Sequence, residues 1–411
     1  MRHIGRSKTA CIGVLVAAAL GACEVEDPRL RETAQVDTTP AATPDTAAVE
    51  TASHDTSVAE TVADTNLAET SVAEIQSGET IVIGSNACCL TFDDGVAVWV
   101  DGDALWIFRE ATGVSEVLAL GPGKKKDPAL SGTLLVWADF RSGDWDLWTV
   151  DLAGLAAGTA TPALLYAGIG TQQSEPSLDG SGANARAVWV DMRPAEGARG
   201  AEIWTMRLSD PASARQLTSD SAEQGQPDVS GDLVVWSDYR NDPDAQYAIV
   251  SDPMLNDADV YGYDLAKDLE IQVVVHPSKQ LAPAIDGTSM VWLDWRGINP
   301  EPKYSEFQVY ARRWPNGPER FIAFSTWARP ELWRRPAVQG DLTIFAAEPT
   351  GNAQGFKTFV YAAKIETGLP WIVSASRGVI DSVSLHAETA AWLGGGTFGR
   401  APITLPTLPG R

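Results

Sequence analysis

The chain has 411 residues and four cysteines, with 54 acidic against 31 basic side chains and a formal net charge of −23. That imbalance excludes binding to nucleic acid or to anionic lipid through bulk electrostatics, and it suits neutral or cationic partners. With only four histidines in all, one of them at position 3, a histidine-rich metal centre is not expected, and neither is a cofactor.

Residues 1–22 read as a signal peptide. "MRHIGRSK" is basic, and "TACIGVLVAAAL" is apolar but too short to anchor a helix across a bilayer. The segment ends in Leu20-Gly21-Ala22-Cys23, which resembles the lipobox of bacterial lipoproteins. The resemblance implies that Cys23 carries the lipid and becomes the first residue, so the membrane is one expected partner. Glu24 follows, not the aspartate that retains enterobacterial lipoproteins in the inner membrane. This points to the outer membrane or surface of a bacterial cell envelope, with its periplasmic face as the other placement. Residues 23–77 are rich in Thr, Ala, Val, Asp and Glu, hold no aromatic residue, and have Arg29 and Arg31 as their only basic residues. Such a segment buries too little apolar surface to offset chain entropy, so it is expected to be a disordered acidic tether. Its coil dimension is about 40 Å.

From residue 78 to residue 405 the sequence repeats, with a tail at 406–411. Pro128, Pro227, Pro283 and Pro336 each precede an aromatic residue by nine: Trp137, Trp236, Trp292 and Phe345. Pro176 precedes Trp189 by thirteen, and in two further units Leu90 and Val383 precede Trp99 and Trp392 by nine. Each unit has a first extended run, a turn such as "SGT" or "DGT", an apolar run reaching the tryptophan, and third runs such as "DLWTVDL" or "DVYGYDL". Fourth runs such as "IQVVV" and "PWIVS" complete the units. Short β-branched and aromatic runs broken by Gly, Asp and Asn are strands with tight turns. Seven four-stranded units imply an all-β fold, a seven-bladed β-propeller, with six or eight blades as the competing counts because the last unit is the weakest, and with tryptophan packed between blades. The last unit offers three strands, "SVSLHA", "TAAWLG" and "APITL". "ETIVIG" is expected to supply the fourth, antiparallel beside "APITL", and so close the ring.

The unit "PALSGTLLVWADFRSGDWDLWTVDLAG" resembles the TolB-like β-propeller repeats of bacterial periplasmic and archaeal surface proteins. The resemblance implies an envelope-located scaffold for protein or glycan contacts. It departs from TolB itself in blade count and in lacking an evident N-terminal α/β domain, so TolB's partners do not transfer.

The phrase Trp-x-Asp-x-Arg recurs, and residues two apart in a strand share a side. This groups Asp139 with Arg141, Asp191 with Arg193, Asp238 with Arg240 and Asp294 with Arg296, each where the second strand turns into the third. Asp127, Glu175, Gln226 and Arg335 stand just before blade prolines, in what reads as loops leading into the first strands on the same face. Together these twelve are the candidate ligand-binding residues of the channel mouth. The plainer reading is structural: aspartate caps the turn and arginine bridges to a neighbouring blade, with Arg240→Ala costing about 1 kcal/mol if the pair is partly exposed.

No HExxH, GxSxG, Walker loop or sialidase-type Asp box is present. Carboxylate pairs such as Asp93/Asp94 and Asp101/Asp103 leave acid/base glycoside chemistry open, against the simpler role of aspartate in turns. The acidic insertion Asn241 to Asp259 lacks EF-hand spacing and reads as a solvated loop. Cys88 and Cys89 are adjacent and read equally as a vicinal disulfide or as two free thiols. The function expected is a lipid-anchored envelope binding scaffold for a protein or glycan. The alternatives are a carbohydrate-active hydrolase or lyase and a purely structural envelope protein.

Overall fold

A computed structural model of the chain describes residues 79–84, 87–168, 170–192, 200–220, 222–241, 258–296, 306–326, 335–347 and 358–405. Cys23, the tether, Arg193, most of the acidic insertion and the tail fall outside the described residues. The described residues form seven four-stranded antiparallel sheets arranged as a β-propeller. Six blades run consecutively: 88–117, 125–166, 172–216, 224–274, 280–326 and 337–376. Among the described residues no helix is long and apolar enough to cross a membrane.

The seventh blade is mixed. Its inner three strands are Ile380–His386, Thr389–Gly394 and Thr397–Pro402, and Glu79–Val82 lies outermost. Glu79 pairs with Arg400 and Val82 with Thr397, antiparallel. The third strand is thus Thr397–Pro402, four residues earlier than the expected "APITL". The cause is Gly395-Gly396, whose φ values of 59° and 76° make the two-residue turn that matches strand twist. Gly399 in that strand is obligatory for a second reason. A Cβ there would lie 2.3 Å from the Trp392 ring.

Each blade aromatic packs against the blade before it. Trp137 joins Val98, Val100 and Leu105 of the first blade, and Trp236 joins Val188, Val190 and Ile203 of the third. Trp99 meets Ala391, Leu393 and Phe398 of the closing blade, so the seam is packed like the other junctions. Trp99, Trp137, Trp189, Trp236 and Trp292 are fully buried. Burying such a ring is worth about 4–6 kcal/mol before entropy.

A ring of polar contacts, six of them hydrogen bonds, crosses the seven blade junctions on the face of the first turns. The last residue of a first strand accepts the turn N–H of the next blade: Asp93 from Gly132 (2.6 Å), Asp179 from Gly231 (2.6 Å) and Ser230 from Gly287 (2.9 Å). Asp286 accepts from Gly340 (2.6 Å) and Gln339 from Ala387 (2.6 Å). Ser131 donates to the Gly180 carbonyl at 2.9 Å, and His386 Nδ1 lies 2.5 Å from Asp93 Oδ1 across the seam. The recurring "SG" and "DG" turns therefore join blades as well as reversing the chain.

Candidate functional site

In the second, fourth and fifth blades the repeated phrase builds one buried unit. The Trp137 indole N–H donates to Asp139 at 2.9 Å, and Trp236 and Trp292 donate to Asp238 and Asp294 at 2.7 and 2.9 Å. Arg141 grips Asp139 through Nε at 3.0 Å and Nη2 at 2.6 Å, and Arg240 grips Asp238 at 2.9 and 2.7 Å. Arg296 donates to Asp294 Oδ2 through Nε at 2.9 Å, and its Nη2 lies 2.8 Å from the same oxygen as an ion pair without a hydrogen bond. Each guanidinium lies over a third-strand ring: Arg141 on Trp148 at 3.6 Å, Arg240 on Tyr261 at 4.1 Å, Arg296 on Tyr310 at 4.6 Å. Those rings sit in register opposite the tryptophans. Burial alone would raise the Asp139 pKa, but the hydrogen bonds from Arg141 and Trp137 and the charge of Lys125 outweigh it and hold the carboxyl below its usual range.

This geometry corrects the expected bridging. Arg141 reaches back to the Leu120 carbonyl at 2.7 Å, in the connection from the first blade. Arg240 binds Glu270 at 2.6 Å within its own blade and Asp220 at 3.2 Å in the preceding connection, and Arg296 binds Glu319 of its own blade. The arginines tie their own blades and the connections into them. Asp139, Asp191, Asp238 and Asp294 are all 0% exposed, so a molecule in the channel does not touch their carboxylates. In the third blade Asp191 takes the Gln173 amide at 3.2 Å, and the Trp189 indole N–H has no hydrogen-bond partner among the described residues.

The sequence reading missed the residue three before Pro128, Pro176, Pro227 and Pro283. Lys125, Gln173, Gln224 and Gln280 are buried and stand in register with Asp139, Asp191, Asp238 and Asp294. Lys125 Nζ also caps three carbonyls, Gly121, Pro122 and Gly123, at 2.7–3.2 Å. The signal was present as "KKDP", "QSEP", "QGQP" and "QLAP".

Asp127, Glu175 and Gln226 lie inside the innermost strands, not in loops leading to them. They sit at bulges with φ of 50°, 50° and 54°, a left-handed conformation shared with Cys89 (62°) and Ala282 (52°). The bulge turns the backbone N–H away from its own sheet and toward the previous blade. Asp127 accepts from the Glu175 N–H at 3.2 Å, Glu175 from Gln226 at 2.6 Å, and Gln226 from Ala282 at 2.9 Å. Arg335 continues the chain by donating to the Pro283 carbonyl at 2.7 Å and the Gln226 carbonyl at 3.2 Å. Glu175 is exposed to solvent. Partial desolvation by the surrounding protein, then the charge of Asp127, raises its pKa against the opposing hydrogen bond from Gln226.

Apolar groups stand on the face of the second-to-third turns. Phe140 is 38% and Met192 39% exposed. Phe140 packs on Trp145 at 5.2 Å, and Lys126 Nζ sits 4.7 Å from the Trp145 ring. Among the described residues no group of three His, Cys, Asp or Glu side chains is placed to hold a metal ion.

No known protein family matches this sequence, and no curated protein does. The likeness is structural, to TolB and other propellers. A putative TolB from Agrobacterium tumefaciens is 11% identical with a TM-score of 0.43, over 59% of this chain and 83% of that one. TolB from Acinetobacter baumannii gives 13% and 0.45, over 73% and 66%. The tricorn protease gives 12% and 0.53 over 79% of this chain and 34% of its own, and an oligogalacturonate lyase from Vibrio parahaemolyticus 10% and 0.51 over 77% and 94%. At these identities what is shared is the propeller fold.

Proposed function

We propose that the chain is a binding scaffold of the bacterial cell envelope, held by a lipid on Cys23 and presenting the mouth face of its propeller to a protein or glycan. One contrast carries the reading. In the second, fourth and fifth blades the charged residues of the repeated phrase pair with one another inside the blades, whereas Phe140, Met192 and the Lys126–Trp145 pair stand at the surface of the same face. Aromatic and methionine side chains enrich the centres of binding surfaces. Cross-linking in intact cells should capture a partner that is lost in the doubly substituted Phe140→Ala, Trp145→Ala chain, with the melting midpoint kept. Capture at wild-type level by that variant would refute the placement. Cys23→Ser should move the protein from the detergent phase to the aqueous phase, and unchanged partitioning would remove the anchor.

A second reading rests on Glu175. A carboxyl with a raised pKa beside a second carboxyl is what acid/base cleavage of a glycan needs. Depolymerisation of envelope or plant-type polysaccharides by the wild type, abolished in Glu175→Gln, would favour an enzyme over the scaffold.

A further inference from the structure

We propose that Cys88 and Cys89 form a redox-active vicinal dithiol on the inner strand of the first blade, a site that closes to a vicinal disulfide without rearranging the sheet. Adjacent residues of a regular strand point to opposite faces, so neighbouring cysteines do not normally meet. Here the two Sγ atoms are in contact at 2.6 Å. Cys89 owes this to the left-handed bulge, since its φ of 62° matches Asp127, Glu175, Gln226 and Ala282 at the same place in other blades. Pairing with the second strand skips from Cys88↔Val100 to Thr91↔Val98, which leaves Cys89 and Leu90 out of the ladder. The backbone form that brings the sulfurs together is therefore a property of the repeat, present in four other blades that hold no cysteine.

The site is also placed to react. Both residues are half-buried, with Asp101, Lys126, Asp127 and Asp381 as the charged groups near them. The contact between the two sulfurs at 2.6 Å lowers the Cys88 pKa and, with burial, raises that of Cys89, so Cys88 is the thiol poised to attack and Cys89 the one to resolve. The oxidant is an exchangeable disulfide, of a small molecule or of another protein. The Cys88 thiolate attacks it, and the first leaving thiolate departs. Cys89 then gives its proton to water and attacks Cys88 Sγ, expelling the second. The pair loses two electrons and two protons, and the oxidant is reduced to two thiols. The neighbouring Leu90 N–H donates to Ser382 of the closing blade at 3.2 Å, so the linkage would form beside the seam of the ring.

The test uses the full chain in detergent, equilibrated with glutathione buffers from fully reduced to fully oxidised, acid-quenched, alkylated and peptide-mapped by mass. Under oxidised glutathione the peptide holding Cys88 and Cys89 should be lighter by two hydrogens, carry neither alkyl group nor glutathione, and regain two alkylation sites after phosphine reduction. Two alkylated cysteines in every buffer, or a stable glutathione adduct as the end product, would overturn the proposal. Cys89→Ser should trap glutathione on Cys88, and an adduct-free Cys88 in that variant would overturn its role as nucleophile. The wild-type map decides the proposal even where the variant does not fold.

Discussion

Removing the Arg240 side chain should cost far more than a surface ion pair is worth. Its side chain is 23% exposed but that of its main partner, Asp238, is 0% exposed. Arg240→Ala would delete two charge-assisted bonds to Asp238, the pairs with Glu270 and Asp220, and the stacking on Tyr261. Among the described residues the buried carboxylate would keep the Trp236 indole and the residue 240 backbone N–H, at 2.7 and 3.0 Å. Breaking a buried pair from one side costs about 3–5 kcal/mol, and the two surviving donors with water entering the vacated space put Arg240→Ala near the lower figure. This replaces the figure of about 1 kcal/mol that holds for a partly exposed pair. With an unfolding entropy of about 2.1 cal/mol/K per residue, a propeller of this size shifts by roughly 1.5 °C per kcal/mol, so the melting midpoint should fall by about 4–5 °C in calorimetry. The doubly substituted Asp238→Asn, Arg240→Met chain removes both charges and should recover more than half of the loss. A fall under about 1 kcal/mol for Arg240→Ala, or no recovery in the double variant, would show that the carboxylate is not committed to a buried pair.

Glu175→Gln should raise the melting midpoint slightly at pH 8, because glutamine still accepts the Gln226 N–H while the charge beside Asp127, already partly screened by solvent, is gone. The chain already uses Gln226 at the matching position of the next blade. An acid whose folded pKa is raised destabilises the fold above that pKa, and the penalty fades as pH falls to the unfolded value near 4.3. The two proteins should therefore converge near pH 4, and a lower midpoint for the variant at pH 8 would contradict the argument. Deleting residues up to 84 should lower the midpoint by several degrees relative to deleting up to 75, since only the longer cut removes Glu79–Val82 and the packing of Ile81 and Ile83 near Trp99. Equal midpoints would refute strand closure. Trp236→Ala should cost about 3–5 kcal/mol by urea titration, while Trp236→Phe, which keeps most of the ring but loses the bond to Asp238, should cost about 1–2 kcal/mol.

The blades were legible because a repeated period-two pattern is a local signal, and each tryptophan stands at a fixed distance from its turn. The partners of Arg141, Arg240 and Arg296 were not, because the stacked rings and the carboxylates of Glu270 and Glu319 lie one or two strands away and only register brings them together. The prolines misled in an informative way. They suggested loops before Pro128, Pro176 and Pro227, yet proline is tolerated in an innermost strand whose free edge faces the channel, and there it marks the bulge. One substitution pattern supports the structural reading of the phrase. In the sixth blade Phe345 replaces tryptophan and Ala347 stands where aspartate would, so the indole N–H and its acceptor are lost together. What the repeat does not dictate is where blades differ. Phe140, Met192, Tyr239 and Trp295 fill the position between aspartate and arginine. Tyr239 and Trp295 pack partly into the core, whereas Phe140 and Met192 stay exposed on the second and third blades. A ring built from near-identical units needs no such asymmetry for stability, and a partner that approaches one side of the mouth does.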